Sequence, residues 1–344
     1  MTKQLLVLQS DFGISDGAVS AMYGVINSVS KDLQIYDLTH QIPQFNIWEA
    51  SYRLLQTVTY WPEDTIFVSI VDPGVGSKRR SVAVLTEDGH YIITPDNGTL
   101  THIAHYGTIK EVRLIDEEKN RLPKSGASHT FHGRDIFAYT AARLAAGVIN
   151  FEDIGPSATP DSIVSLSLSD SYLEGEQAFG TIDIIDRPFG NLWTNIRRTD
   201  FLQLGANYGD SIEVLIKHHD RVVYKNFVTY SRSFADLRIG EALIYVNSLD
   251  NLGLGINQGS FVDAYSVGTG TSWKVTLKKV IKNRVKHPNW KFDPVSFFYF
   301  VYSLTIGSCF LVFRNKLKII PIAAKIAATI NAARIPSKLA SCAF

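Results

Sequence analysis

The feature that most constrains the fold is the alternation, over the first 150 residues, of short apolar runs with stretches of helical periodicity. The strand-like runs cover residues 5–8, 33–38, 65–71, 81–85 and 91–94, and the helical stretches cover residues 17–30, 47–60 and 136–147. Such alternation is typical of βαβ units. It predicts an α/β domain with a mainly parallel sheet, which we assign to residues 1–150.

The pattern changes after a segment rich in Ser, Asp, Gly and Pro that we interpret as a linker, residues 151–178. Short strand-like runs separated by turn signals follow at residues 181–185, 211–216, 222–228, 242–246 and 273–281. They predict a smaller, antiparallel, barrel-like β domain over residues 179–282.

Residues 283–344 form an atypical hydrophobic and basic extension. Within it, residues 294–313 carry no charge, a length that can cross a bilayer. Basic residues flank this run on both sides, so they give no orientation. A membrane span, a buried element and a read-through extension all remain open.

Composition excludes several classes of function. The 34 basic and 33 acidic side chains nearly cancel, whereas a nucleic-acid binder would show a basic stripe. The two cysteines, Cys309 and Cys342, lie near the C-terminus, so we expect no disulfide scaffold and a cytoplasmic location. No HExxH or CxxC metal-ligand spacing occurs, and we therefore expect neither a metal nor a cofactor.

Two polar clusters follow predicted strands, where open α/β sheets bind ligands. Asp11 and Asp16 follow the first strand; a carboxylate there suits a ribose diol or caps the next helix. Asp72 opens a Gly-rich turn from which Arg79 can return to it, as a site or as a structural ion pair.

Two further clusters lie later in the chain. His132 stands beside a glycine at a helix entry, where its near-neutral pKa suits proton transfer, although a structural role is also open. The segment DRPFGNLWTN, which contains Asp186, Phe189 and Asn191, suits a heteroaromatic ligand or forms a plain β-turn.

Together these clusters resemble the S-adenosyl-L-methionine (SAM) hydroxide adenosyltransferases, the adenosine-forming SAM hydrolases related to fluorinating and chlorinating enzymes. The matching stretches run in order from Ser10 to about Ser260: SDFGISDGAVSAMYGVI, VDPGVGSKRRSVAV, TPDNGTL, FHGRDIFAYTAARLAAG, IDRPFGNLWTNI and YVNSLDNLGLGINQGS. The resemblance implies a homotrimer whose active sites lie between the N-terminal domain of one subunit and the C-terminal domain of its neighbour. It also implies hydrolysis of SAM to adenosine and methionine, with SAM as substrate.

The resemblance further implies a role for each site residue. The catalytic set around the attacking water would be Asp72, Arg79 and His132. The substrate-binding set would be Asp11 on the ribose, Asp186 on the methionine portion, Phe189 and Asn191 on the adenine, and Ser248 nearby. The sequence departs from the family at Leu249-Asp250-Asn251, where a glycine or arginine usually follows the Asn-Ser pair.

Three alternative functions remain open. Halide-dependent adenosyl transfer is disfavoured, because the halogenating relatives carry Tyr at the position of Asp72 and Tyr-Ser at that of His132-Gly133, and a carboxylate repels halide. A non-catalytic protein that binds adenosine or SAM would have no need for the catalytic set. A membrane-tethered form depends on residues 294–313 alone.

Overall fold

The computed structural model describes residues 4–280. The extension at residues 283–344, with its possible membrane span at residues 294–313 and both cysteines, lies outside the described residues. Within residues 4–280, every helix falls short of the length and apolar character that crossing a bilayer requires.

The first sheet contains seven strands in the order β2-β1-β3-β5-β4-β6-β7. The strands are β1 Leu6–Ser10, β2 Ile35–Thr39, β3 Ile66–Ile70, β4 Ser81–Thr86, β5 Tyr91–Pro95, β6 Ile109–Leu114 and β7 Ser157–Ala158. Strands β1, β2, β3, β5 and β6 run in one direction, and β4 and β7 run in the other. The prediction of a mainly parallel sheet is confirmed.

Helices cover both faces of this sheet. They are α1 Ala18–Val29, α2 Ile47–Val58, α3 Thr101–Tyr106, α4 Glu117–Asn120 and α5 Tyr139–Ala145, the last preceded by a π-helical turn, Gly133–Ala138. Because successive strand side chains point to opposite faces, Leu6 and Leu8 pack in the cluster that contains Met22, whereas Val7 packs in the cluster that contains Leu54. Burial on both faces explains why these strands are uniformly apolar.

The second sheet closes into a seven-stranded barrel, with β8 added at its edge. The strands are β8 Tyr172–Glu174, β9 Gln177–Asp186, β10 Asn191–Arg197, β11 Ser211–His218, β12 Arg221–Tyr230, β13 Ala242–Val246, β14 Asn251–Ile256 and β15 Gly270–Lys279, with short helices α6 Arg198–Leu202 and α7 Phe261–Tyr265. Pairing of β9 with β10 closes the barrel, and the parallel pair β12–β13 is its exception to antiparallel order. The predicted antiparallel, barrel-like β fold is confirmed.

The segment predicted as a linker, residues 151–178, contributes β7 to the first sheet and β8 to the second. Between these strands it follows the first sheet, where the backbone N–H of Val164 donates to Asp96 at 2.8 Å. The backbone N–H of Leu166 donates to the Thr101 hydroxyl at 2.9 Å.

Helix α2 attaches the barrel strand β9 to the first sheet. The Trp48 indole N–H donates to the Asp183 carbonyl at 2.6 Å, and Arg53 donates to the Ile185 carbonyl at 2.9 Å. The buried Glu49 carboxylate accepts two hydrogen bonds from Arg187, at 2.9 Å from Nε and 2.7 Å from Nη2. The turn after β9 is therefore fixed to α2 by a bidentate ion pair.

Candidate active site

The carboxyl ends of β1 and β3 meet at one edge of the first sheet. The two strands are parallel neighbours in register, with Leu6 opposite Ile66 and Ser10 opposite Ile70. Asp11 follows β1 directly and Asp72 follows β3 by two residues. Parallel pairing therefore brings together two carboxylates that are far apart in the sequence.

The turn after β3 returns Arg79 to Asp72. Arg79 Nε donates to both Asp72 oxygens, at 2.9 and 3.0 Å, and Nη2 donates to Oδ2. Gly76 makes this turn possible, because its φ is +76° and a Cβ there would lie 2.8 Å from the His129 carbonyl oxygen. Both charged side chains are nearly buried, at 9% and 6% exposure, which strengthens their attraction.

His132 joins this pair from the loop before the π-helical turn. Arg79 Nη2 lies 3.1 Å from His132 Nδ1, and because a guanidinium only donates, Nδ1 is the acceptor. The next residue, Gly133, packs against Phe12, where a Cβ would approach the ring to 3.1 Å. Burial lowers the pKa of His132, the nearby Glu117 raises it, and Arg79 and Arg121 lower it further.

Asp11, Asp72 and His132 line one cavity of about 270 Å³. Arg79 forms hydrogen bonds with two of these residues, Asp72 and His132. The carboxylate of Asp11 accepts the backbone N–H of Phe45 at 2.8 Å. Asp16, by contrast, accepts from the backbone N–H of Ala18, the first residue of α1, at 2.9 Å, and Gly17 is the N-cap residue of that helix.

Phe45 is a cavity residue that sequence reasoning missed. It lines the same cavity, is 68% exposed and has a φ of +65°, an uncommon conformation for an aromatic residue. Asn46 caps α2 by accepting the backbone N–H of Glu49 at 2.9 Å, and that spacing predicts where the helix begins. It does not predict the left-handed backbone that precedes it.

A second group of polar residues, also missed, lies behind the catalytic set. Arg79 Nη1 donates to the Ser81 hydroxyl at 2.7 Å, and Ser81 donates to Glu117 Oε1 at 2.8 Å. Arg121 Nη2 donates to Glu117 Oε2 at 3.3 Å and lies 3.4 Å from His132 Nε2. No local sequence motif marks these residues. They meet only in the folded chain, where the start of strand β4 contacts the start of helix α4.

A larger cavity of about 770 Å³ opens on the barrel. All four remaining predicted residues line it, namely Asp186, Phe189, Asn191 and Ser248. Phe189 is 69% exposed. Trp193, Phe234 and Tyr245 add aromatic surface that the sequence interpretation did not assign.

Asn191, which lines this cavity, keeps an unused acceptor. Its Nδ2 donates to Asp186 Oδ2 at 3.4 Å, while its buried Oδ1 has no hydrogen-bond partner among residues 4–280. A buried carbonyl oxygen without a partner is unfavourable, and a ligand that donates a hydrogen bond would satisfy it.

The departure from the family pattern at residues 249–251 turns away from the barrel cavity. Leu249 packs against a buried cluster that contains Tyr52 and Ile184. Asp250 has a φ of +60° and pairs with Arg198, whose Nε lies 2.5 Å from Oδ1. Neither Leu249 nor Asp250 lines the cavity; Arg187 is the one basic residue that does so within residues 4–280.

The two cavities share no lining residue. Among residues 4–280 no group of three or more His, Cys, Asp or Glu side chains is arranged to hold a metal ion.

Comparison with known proteins identifies the family. Residues 6–155 match the N-terminal domain of the SAM hydroxide adenosyltransferases, and residues 180–274 match their C-terminal domain. The (R)-S-adenosyl-L-methionine hydrolase of Methanocaldococcus jannaschii is 33% identical over 222 residues, 63% of this chain and 75% of its own. That of Salinispora tropica is 32% identical over 268 residues, 78% of this chain and 95% of its own.

Halogenating and structural relatives extend this comparison. The fluorinase of Nocardia brasiliensis is 30% identical over 300 residues, 80% of this chain and 97% of its own. A crystal structure of an uncharacterized conserved protein from Thermotoga maritima superposes with a TM-score of 0.73 at 30% identity, covering 80% of this chain and all of that one. With both domain matches spanning most of the described residues, this chain belongs to the SAM hydroxide adenosyltransferase family.

Proposed function

We propose that this protein hydrolyses SAM to adenosine and L-methionine. The observation that carries the proposal is the bridge at the sheet edge, where Arg79 holds both the Asp72 carboxylate and the His132 imidazole. Asp72 and His132 line the same small cavity as Asp11. A protein that only binds its ligand has no need for a buried acid, base and cation joined in this way.

The sulfonium of SAM is already a good leaving group, so methionine leaves without a general acid. The oxygen of water forms a bond to ribose C5′ while the C5′–S bond breaks, and its electron pair remains on the neutral thioether. One proton of the attacking water must then be accepted by a base. Holding water in line with C5′ and opposite the sulfur is the other requirement.

In the proposed mechanism His132 accepts that proton. Because burial holds the pKa of His132 below its usual value, the ring is neutral at pH 7 and keeps one basic nitrogen. Arg79 donates to that nitrogen, Nδ1, at 3.1 Å. When this contact opens for proton transfer, Arg79 remains bound to Asp72 through Nε. Asp72 orients the water, and Arg79 stabilises its hydroxide-like form.

The substrate-binding roles follow the two cavities. Asp11 binds the ribose hydroxyls at the sheet edge, because a carboxylate accepts from both hydroxyls of a vicinal diol. In the barrel cavity, the unpartnered Asn191 oxygen accepts from adenine, and Phe189 contacts its ring. Asp186 and Ser248 bind the methionine portion.

Since the two cavities share no lining residue, we propose that a complete site forms between the sheet edge of one subunit and the barrel of another. The family resemblance supplies the expected assembly, a homotrimer. We also propose a cytoplasmic enzyme that needs no metal.

The test is incubation of the protein with SAM in H₂¹⁸O, followed by chromatography and mass spectrometry. Both sulfonium configurations are included, because the named hydrolase relatives act on the R form. We expect equal amounts of methionine and of adenosine that carries ¹⁸O at the 5′ position, unchanged by a chelator. Formation of S-adenosyl-homocysteine, or binding of SAM without turnover, would contradict the proposal.

Chloride and fluoride provide the second arm of the experiment, because a fluorinase is among the relatives. A halide site must be desolvated and free of facing negative charge, whereas Asp72 lines this cavity. We therefore expect no 5′-halogenated adenosine when either salt is added. Halogenated product in excess of adenosine would favour halide-dependent adenosyl transfer.

A further inference from the structure

A closed ring of short polar contacts surrounds one side of His132. From Arg79 it passes through the Ser81 hydroxyl to Glu117, with contacts of 2.7 and 2.8 Å. From Glu117 it passes to Arg121 at 3.3 Å, and Arg121 lies 3.4 Å from His132 Nε2. Arg79 then closes the ring at His132 Nδ1, 3.1 Å away.

Glu117 is the carboxylate of this ring, and it contacts Arg121 directly and Arg79 through Ser81. Its two carboxylate oxygens are divided between them, Oε1 toward Arg79 through Ser81 and Oε2 toward Arg121. Ser81 is buried and Glu117 is about one-third exposed. Arg121 is therefore held by this carboxylate directly, whereas Arg79 is held by Asp72 and contacts Glu117 only through Ser81.

The negative charge of Glu117 also balances the charges around His132. The groups beside His132 are two arginines and two carboxylates, Asp72 and Glu117, which cancel while the imidazole is neutral. When His132 takes a proton, the cluster carries one positive charge. Without Glu117 it would carry one such charge beforehand and two afterwards, at short distances in a partly buried site.

We propose that Glu117 is a positioning residue that sets Arg79 and Arg121 around His132 and balances their charge when His132 accepts the proton from water. This inference rests on the proposed function for its link to turnover. The link between Glu117 and His132 itself does not depend on the substrate.

The groups that face His132 come from three parts of the chain. Asp72 and Arg79 belong to the turn after β3, and Glu117 and Arg121 belong to α4 and the residue that follows it. His129, in the preceding loop, places its ring centroid 6.4 Å from that of His132. Removing the negative charge of Glu117 should lower the pKa of His132, and removing Arg121 should raise it.

The experiment uses the full chain with three variants. For Glu117→Gln we expect kcat to fall on the order of threefold to tenfold, with KM nearly unchanged and the midpoint of the acid limb of kcat moved to lower pH. For Arg121→Gln the midpoint should move to higher pH. The control is Glu118→Gln, an exposed neighbour on the same helix outside the ring, which should match the wild type.

NMR titration of the His132 imidazole, assigned by its loss in His132→Gln, gives a second readout that needs no turnover. Opposite shifts for Glu117→Gln and Arg121→Gln would support the proposal even if the wild type does not cleave SAM, in which case only the proposed function fails. The same His132 pKa in Glu117→Gln and in Glu118→Gln would overturn the proposal, whatever happens to kcat. If Glu117→Gln does not fold, Ser81→Ala breaks the same link to Arg79 and should lower kcat with KM nearly unchanged, and a wild-type kcat in that variant would overturn the proposal.

Discussion

The sheet edge and the barrel each present a cavity, and the two differ in size and in chemistry. The sheet-edge cavity measures about 270 Å³ and contains Asp11, Asp72 and His132. The barrel cavity measures about 770 Å³ and is dominated by aromatic and amide side chains, with Asn191 keeping an unused acceptor.

Arg79 at the sheet edge and Asn191 in the barrel also differ in how completely their polar atoms are paired. At the sheet edge, Arg79 uses Nε and both terminal nitrogens on Asp72, Ser81 and His132. Such a preorganised charge network suits stabilisation of a developing charge. In the barrel the unpaired Asn191 oxygen is left for a ligand. We therefore expect the sheet edge to supply the chemistry and the barrel to supply recognition.

The largest expected effect is at the sheet edge. His132→Gln should lower kcat on the order of a hundredfold or more, with little change in KM, because the proton acceptor is lost. Steady-state kinetics at neutral pH test this expectation, and Asp72→Asn should give the same pattern. Near-full activity of His132→Gln would mean that His132 is not the proton acceptor and would contradict a catalytic role for the sheet-edge cavity. Asp11→Ala should mainly raise KM, as expected for a residue that binds the ribose.

The next effect concerns how the free energy of unfolding depends on pH. A buried residue of the first domain and a buried residue of the barrel should respond to pH in opposite directions. Burial lowers the pKa of His102, on α3, to about 4 and raises that of Asp183, on β9, to about 7. The contribution of neutral His102 to the free energy of unfolding is fully present above about pH 6.5 and is lost as the pH falls toward 4. The Asp183 contribution is present at acid pH and is lost as the pH rises toward 7.

Chemical denaturation at several pH values measures both effects. At pH 8 Asp183→Asn should increase the free energy of unfolding by roughly 3 kcal/mol, because the amide removes a buried charge and keeps the acceptor for Thr181. His102→Gln should reduce the loss of stability between pH 6.5 and 4. Asp220→Asn, an exposed change on the β11–β12 hairpin, is the control. No gain in Asp183→Asn at pH 8 would contradict the buried charge.

A smaller effect is expected in the barrel. Asn191→Ala should raise KM about tenfold and change kcat little, since a hydrogen bond to a buried partner contributes on the order of 1 to 2 kcal/mol. Calorimetric binding of SAM, or of adenosine, measures the same loss without turnover. Asn226→Ala, an exposed amide on β12, provides the control. A fall in kcat alone would mean that the barrel contributes to chemistry as well as to recognition.

The smallest expected effect concerns the C-terminal extension. Deletion of residues 283–344 should leave kcat within about twofold, because β15 ends at Lys279 and all lining residues of both cavities precede it. Activity and unfolding are measured for both lengths with and without detergent, since an apolar run exposed to water promotes association. Loss of folding in the shorter chain would place the extension in the core.

Local sequence determined much of the fold. The uniformly apolar run of β1 predicts a strand buried on both faces, and the helical spacing of Val19, Met22 and Ile26 predicts the side of α1 that packs on it. The predicted helix at residues 136–147 begins three residues earlier, as a π-helical turn at Gly133. Its bounds could not be predicted from periodicity, because the wide turn is packed around Phe12 and Ile70.

The candidate site divides in the same way. The spacing of Asp72 and Arg79 around a Gly-rich turn, the His-Gly pair at residues 132–133 and the segment around Asn191 were visible as short motifs, and their family resemblance named their roles. Phe45 and Glu117 carried no such signal. A left-handed φ and a contact made through Ser81 depend on which elements become neighbours.

The sequence by itself determined the alternating architecture of the first half, the antiparallel β fold of the second and the identity of the polar clusters, because periodicity and turn chemistry act over a few residues. Only the tertiary structure decided that Arg79 bridges Asp72 and His132, that Glu117 contacts Arg121, and that the two cavities are separate. Those outcomes depend on parallel strand register and on helix packing, which bring together side chains tens of residues apart. Their energies come from buried charge, and burial exists only once the chain has folded.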